Sequence, residues 1–166
     1  MHIQTARLKI RPLDQRDEQM LLAMFKNDVI KRTYMIPDFP SDEAAMRLVQ
    51  RFIALSTGGE RLVVGIAWGD ELIGFLNETE TMNGEIELGY AIHPDYHGKG
   101  FMTEALMAVI AELLAQGYGA VLAGAFEENA ASIRVMEKCG MKRLDRFEEI
   151  EYRGRRHACV YYAARA

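Results

Sequence analysis

Residues His97-Gly98-Lys99-Gly100-Phe101-Met102-Thr103 join two stretches of opposite periodicity, and their composition suits the holding of an anion. Two glycines around one lysine offer several main-chain N–H groups with almost no side-chain bulk beside them. Where such a turn opens a helix, those N–H groups lie at the positive end of the helix dipole, so a phosphate or pyrophosphate is the natural ligand. A tight turn whose glycines serve only geometry has the same local appearance. Two other phosphate loops are excluded: Gly100 follows Lys99 where a Walker loop needs Ser or Thr, and Thr103 stands where the dinucleotide fingerprint needs a third glycine. A second set of chemically equipped residues is Glu85 and Glu87, two carboxylates on one face of the stretch before the loop.

The elements that must position these groups follow from periodicity. Residues 85–92 put Ile86, Leu88, Tyr90 and Ile92 on one face, the alternation of a half-buried strand, ended by His93-Pro94. Residues 103–116 are apolar except for Glu104, Glu112 and Gln116, which fall in one stripe at helical angles. This predicts a helix buried on most of its circumference.

Upstream, residues 8–12 read as a strand closed by Pro12, and Asp14 caps a helix over 15–26. Residues 27–40 have no sustained period and read as an exposed apolar loop, after which Ser41 caps a helix to about Leu55. Residues 62–68 and 72–77 form a hairpin across Gly69-Asp70, and Met82-Asn83-Gly84 turns into the 85–92 strand. Downstream, Gly117 and Gly119 bracket a strand over 121–126, which a strand–helix–strand crossover pairs in parallel with 85–92. A helix over 130–139 ends at Gly140 as a left-handed cap, and residues 144–152 and 157–163 make a last hairpin across Arg153-Gly154. The order β-α-α-β-β-β-α-β-α-β-β describes an α/β (α+β) fold, a mixed, mostly antiparallel sheet flanked by helices.

The chain has 166 residues, 49% of them hydrophobic, enough for one compact domain over 1–166. A net charge of −4 and a longest basic run of Arg153-Gly154-Arg155-Arg156-His157 argue against nucleic acid as partner. No apolar stretch suits a bilayer and no secretory signal is present, so the expectation is a cytoplasmic protein without membrane association. Cys139 and Cys159 lack metal or disulfide spacing and read as core residues. His93 and His97 are separated by Pro94 and do not form a helical metal pair, so no metal is expected.

The longer string Gly89-Tyr90-Ala91-Ile92-His93-Pro94-Asp95-Tyr96-His97-Gly98-Lys99-Gly100-Phe101-Met102-Thr103-Glu104-Ala105 resembles the acyl-CoA loop of the GNAT superfamily of N-acetyltransferases. Within it, the chain looks most like the ribosomal-protein N-terminal (alanine) acetyltransferase-like branch. Two further matches extend the resemblance over nearly the whole chain: Thr5-Ala6-Arg7-Leu8-Lys9-Ile10-Arg11-Pro12 at the start, and residues 128–141, similar to the family's Asn-x-x-Ser helix ending in Lys-x-Gly-Phe.

The resemblance implies a GNAT fold and an acetyl-CoA-dependent N-acetyltransferase acting by direct attack of a primary amine, with acetyl-CoA as co-substrate. It implies that the N–H groups from Gly98 to Thr103 hold the pyrophosphate, that Ala91 and Ile92 offer backbone partners to pantetheine, and that Asn129 and Ser132 lie near the thiol end. His97 and Met102 depart from the family's loop pattern, which a site of main-chain donors tolerates.

Glu87 is the candidate base, against the alternative of a solvated or salt-bridged strand carboxylate, and Glu85 shares its face. The family's usual tyrosine acid is replaced by Met136, which leaves Ser132 or solvent; Ser132 also reads as a helix-start hydroxyl. Glu127-Glu128 and Glu148-Glu149 read as solvated, and of Tyr161-Tyr162 one ring should be core and the other edge the acceptor groove. The acceptor is expected against residues 27–40 and the last hairpin. A protein N-terminus is the first choice of acceptor, a small amine (polyamine, amino acid or antibiotic) the second, and a non-catalytic acyl-CoA-binding module the rival of another class. A monomer and a homodimer are both compatible with the sequence.

Overall fold

The computed structural model describes residues 1–166. Its elements are β1 (Ile3–Gln4), β2 (Leu8–Arg11), α1 (Glu18–Phe25), α2 (Asp28–Lys31), α3 (Asp42–Gly58), β3 (Val63–Trp68), β4 (Glu71–Met82), β5 (Glu85–Ile92), α4 (Phe101–Ala115), β6 (Ala120–Phe126), α5 (Ala130–Lys138), β7 (Lys142–Tyr152) and β8 (Arg155–Arg165). The strands form one eight-stranded sheet in the order β1-β2-β3-β4-β5-β6-β8-β7. β5 and β6 run parallel, as the crossover through α4 requires, whereas β1/β2, β2/β3, β3/β4, β6/β8 and β7/β8 are antiparallel. This is the expected mixed, mostly antiparallel sheet flanked by helices. No helix is long and apolar enough to cross a membrane.

The chain divides into two compact units, Met1–Asn77 with Tyr90–Ala105, and Glu78–Gly89 with Leu106–Ala166. In the first, the core is built on Phe25, Phe75, Leu21, Met24 and Val49, with Phe25, Phe52 and Phe75 meeting edge to face at centroid distances of 5.0 to 5.8 Å. Ser41 caps α3 by accepting from the Ala44 N–H, and Gly59 at φ 73° ends it. α1 is preceded by a short 3-10 turn at Gln15–Asp17, and the buried Asp17 carboxylate takes a two-pronged hydrogen bond from Arg11, 2.8 Å on each arm.

Residues 27–40 correct the expectation of an exposed loop. They contain α2, capped by Asn27, and bury Ile30, Ile36 and Lys31, whose ammonium is 3.0 Å from Asp38. The apolar residues lack a sustained period because they pack inward from a four-residue helix and an irregular strap. Met35 does remain exposed.

β5 also departs from its predicted alternation. Ile86 and Leu88 are buried, but further along Ala91 is buried while Tyr90 and Ile92 are only half-buried. The parallel register with β6 runs from Glu85/Ala120 to Leu88/Ala123. On β4, Gly74 lets the β5 backbone close in, because a Cβ there would lie 2.6 Å from the Ala91 carbonyl oxygen. α4 begins at Phe101, two residues earlier than predicted. Its outer face includes exposed Met107 beside the polar stripe, and its inner face buries Ala105, Leu106, Val109 and Leu113.

In the second unit, β8 has β6 on one side and β7 on the other. Its run from Cys159 to Ala164 is buried on both faces. Tyr161 and Tyr162 are both 4% exposed, which corrects the expectation of one core ring and one groove ring. Arg153 and Gly154 turn the β7/β8 hairpin with φ of 50° and 71°. The basic run there does cap a hairpin.

Candidate active site

The loop after β5 is organised by its own side chains. The His93 ring accepts from the Asp95 N–H at 3.3 Å, starting a one-turn 3-10 segment at Pro94–Tyr96. The His97 ring then returns, its Nε2 donating to the Ile92 carbonyl at 2.9 Å, which fixes the proton on that nitrogen. Gly98 and Gly100 take φ of 73° and 76°, in the left-handed region that glycine enters without strain. Residues 97–100 are exposed, and a Cβ on Gly98 would meet nothing within 4 Å. α4 starts directly after, its first bond running from the Glu104 N–H to the Gly100 carbonyl at 3.0 Å.

Phe101, Met102 and Thr103 thus form the first turn of α4, at the positive end of its dipole. Met102 and Phe101 are buried, so the bulk at these positions turns inward. The Lys99 ammonium lies 3.0 Å from the Asp95 carbonyl and 5.4 Å from the Tyr96 ring centroid. Phe101 packs at 5.4 Å from the half-exposed Trp68, with Tyr96 beside both. Ala91 and Ile92 stand just before the loop.

The structure distributes the predicted site residues over the two units: Ala91, Ile92 and residues 97–103 in the first, Glu87, Asn129 and Ser132 in the second. Asn129 caps α5, its Oδ1 accepting from the Ser132 N–H at 3.2 Å, so the Asn-x-x-Ser spacing is that of a helix start. Met136 is fully buried. It is a core residue of α5, with no proton to give.

Glu87 lies in a network that the sequence did not reveal. Its Oε1 accepts from the Thr79 hydroxyl at 3.2 Å, and its Oε2 is 3.3 Å from Arg146 Nη1. The other arm of Arg146 reaches Glu148 Oε1 at 3.1 Å, and the guanidinium stacks 3.8 Å over the Tyr161 ring centroid. The Tyr161 hydroxyl donates to Glu148 Oε2 at 2.6 Å, and its ring covers Gly124, where a Cβ would come within 2.8 Å. The Tyr161 hydroxyl bond, followed by Arg146, holds the Glu148 carboxyl below the usual carboxylate range. Burial, followed by the hydrogen bond to Glu148, pushes the Tyr161 phenol well up. Burial works against the charge on Arg146, but the Glu148 bond and the Glu87 and Glu148 charges outweigh it and raise its pKa.

Glu148 is therefore structurally engaged, as is Glu128, which holds the buried His157 Nδ1 at 2.5 Å while that ring stacks on Phe126. Both correct the reading of these glutamates as simply solvated. Glu149 pairs with Arg156 and Glu127 with Arg143 at the surface. Glu85, two residues before Glu87, is bound to Arg165 at 2.8 Å. The alternation of β7 is the one sequence signal that places Arg146 and Glu148 on a common face; nothing local links them to Glu87, which lies 59 positions before Arg146.

Burial raises the Cys139 thiol to about 11 and moves Cys159 up as well, so neither is a ready thiolate nucleophile. No group of three or more His, Cys, Asp or Glu is arranged to hold a metal ion.

The site is thus framed by a parallel strand pair joined through a helix, with a turn of two left-handed glycines at the start of that helix. The chain belongs to the GNAT acetyltransferase family: residues 7–142 match the model of the acetyltransferase (GNAT) domain. It is an acyltransferase of that family.

Among individual proteins, it is 30% identical over 150 residues to the uncharacterized N-acetyltransferase YoaA of Bacillus subtilis, covering 85% of this chain and 82% of that one. Its fold is shared by a GNAT-family acetyltransferase of Bacillus anthracis, with TM-score 0.84, 22% identity, and coverage of 99% and 98% of the two chains. It is shared equally by RimL, the ribosomal L7/L12 alpha-N-protein acetyltransferase solved in complex with coenzyme A, with TM-score 0.84, 23% identity, and coverage of 99% and 98%.

Proposed function

We propose that this acyltransferase uses acetyl-CoA and passes the acetyl group by direct attack to a primary amine, with a protein N-terminus as acceptor. The observation that carries the reading is the pair of left-handed glycines, Gly98 and Gly100, which bare the main chain at the start of α4. Exposed N–H groups at a helix start favour a diphosphate through both hydrogen bonding and the dipole. The residues assigned to the cofactor are Ala91 and Ile92 for pantetheine, His97, Gly98, Lys99, Gly100, Phe101, Met102 and Thr103 for the diphosphate turn, and Asn129 and Ser132 at the thiol end.

Glu87 is assigned as the base, acting on the amine through a water. The Thr79 hydroxyl at 3.2 Å and Arg146 at 3.3 Å orient its carboxylate, which supports a role in accepting a proton. With Met136 sealed in the core, the proton for the departing thiolate comes from the Ser132 hydroxyl or from solvent. The choice of acceptor is supported by the fold shared with RimL, a ribosomal L7/L12 alpha-N-protein acetyltransferase, and with a ribosomal-protein-S5-alanine acetyltransferase of Vibrio fischeri.

The test is release of free CoA thiol from acetyl-CoA with a panel of unblocked peptides, polyamines and amino acids. Peptides should be consumed fastest and gain one acetyl group at the α-amine by mass spectrometry. Thiol release with polyamines alone would move the acceptor to small amines. CoA binding without thiol release on any amine would leave a binding module.

A further inference from the structure

The sequence match around Arg7 has no role in the chemistry above, yet its contacts converge on the loop. Glu104, in the first turn of α4, accepts from the Thr5 hydroxyl at 2.6 Å, the Arg7 main-chain N–H at 2.9 Å and Arg7 Nε at 2.7 Å. Its burial works against ionisation, but these three donors together hold its carboxyl below the usual range. Arg7 Nη1 donates to the Lys99 carbonyl at 2.9 Å. The guanidinium lies 4.4 Å over the Phe101 ring centroid, and Nη2 is 3.6 Å from where a Gly100 Cβ would sit. One side chain therefore touches three successive residues of the turn and is itself fixed by a fourth.

We propose that Arg7 is a positioning residue that aims the Gly100 N–H at the cofactor diphosphate, an inference that rests on the reading of residues 98–103 as the diphosphate turn. The peptide between Lys99 and Gly100 is planar and trans, so its C=O and N–H point in opposite directions. Drawing the Lys99 oxygen onto Arg7 turns the Gly100 N–H away from Arg7, toward the open side of the turn. Gly100, on the N–H side of this peptide, does little to stop it from flipping, since left-handed and right-handed values of φ cost glycine about the same. Glu104 has a second task. A bare carboxylate near the turn would repel an incoming diphosphate, and Arg7 offsets that charge while being held by it.

The experiment measures CoA affinity by calorimetry, and kcat and KM for acetyl-CoA, in wild type, Arg7→Ala, Arg7→Lys, Glu104→Gln and Gly100→Val, each with its melting temperature. Arg7→Ala should weaken CoA roughly tenfold and raise KM by the same factor with kcat retained at saturation. Arg7→Lys should fail to rescue, because a single ammonium cannot hold the Glu104 and Lys99 oxygens in one plane. Glu104→Gln, which leaves Arg7 less firmly placed, should cost about threefold.

Arg7 variants that fold and bind CoA as wild type would overturn the inference. So would full affinity in Arg7→Lys, which would make Arg7 a plain positive charge. If the Arg7 variants are normal while Gly100→Val is impaired, this inference alone fails. If Gly100→Val binds CoA normally, the diphosphate turn itself is wrong. Should Arg7→Ala not fold, Arg7→Lys and Glu104→Gln give the same decision.

Discussion

The two chemically equipped regions of this protein are made from opposite materials. The turn at residues 97–103 presents main chain, with its side chains turned inward or tied back, as in Phe101, Met102 and Lys99. The region around Glu87 presents side chains, four of them linked from Glu87 through Arg146 and Glu148 to Tyr161. The difference teaches where each is vulnerable. A main-chain site depends on φ and ψ and tolerates many side chains, whereas a side-chain network depends on the identity of every member.

The sharpest way to test that contrast is Glu87→Gln, which keeps volume and removes the proton acceptor. Acetyl transfer should fall by about 100-fold or more, with CoA affinity unchanged by calorimetry. A loss of less than about threefold would remove Glu87 from the chemistry.

The counterpart in the turn is a pair of substitutions, Gly98→Val and Lys99→Ala. The first forces a β-branched residue to φ 73° and should weaken CoA about 30-fold, although the space there is empty. The second removes a charge but no main-chain donor and should change affinity less than about threefold. The reverse ranking would show that the turn works through its lysine.

Arg146→Met should lower kcat/KM by about tenfold, since Glu87 loses its orienting partner while the ring of Tyr161 remains covered. The smallest effect concerns acid. The Glu148 pKa is lowered on folding, so its ion pair contributes stability that is complete above its ordinary value of 4.5 and is lost as pH falls through the depressed one. The melting-temperature gap between wild type and Glu148→Gln should therefore shrink from about pH 6 to about pH 3.

What the sequence made legible follows the same division. Main-chain features write themselves locally. The turn glycines, the Asn129 start of α5, the Arg153-Gly154 hairpin and the parallel β5/β6 crossover were all expected and are all present. Partnerships are not local. Glu87 carries no mark that Arg146 will meet it, and Glu148 reads as surface until Tyr161 reaches it from the adjacent strand.

The far end of β4, from Glu78 to Met82, was missed because its exposed polar residues have no apolar alternation to betray a strand. Residues 27–40 were misread because packing, not period, orders them. The two-residue β1 is held by pairing with β2 and is too short for any pattern.

Trp68 is the chain's single tryptophan, and its ring lies against Phe101, the residue that opens α4 directly after the glycine turn. Its indole emission therefore reports on the mouth of that helix without any label. A change in intensity on adding CoA, absent when Phe101 is replaced by leucine, would turn the protein's own fluorescence into a titration of the cofactor.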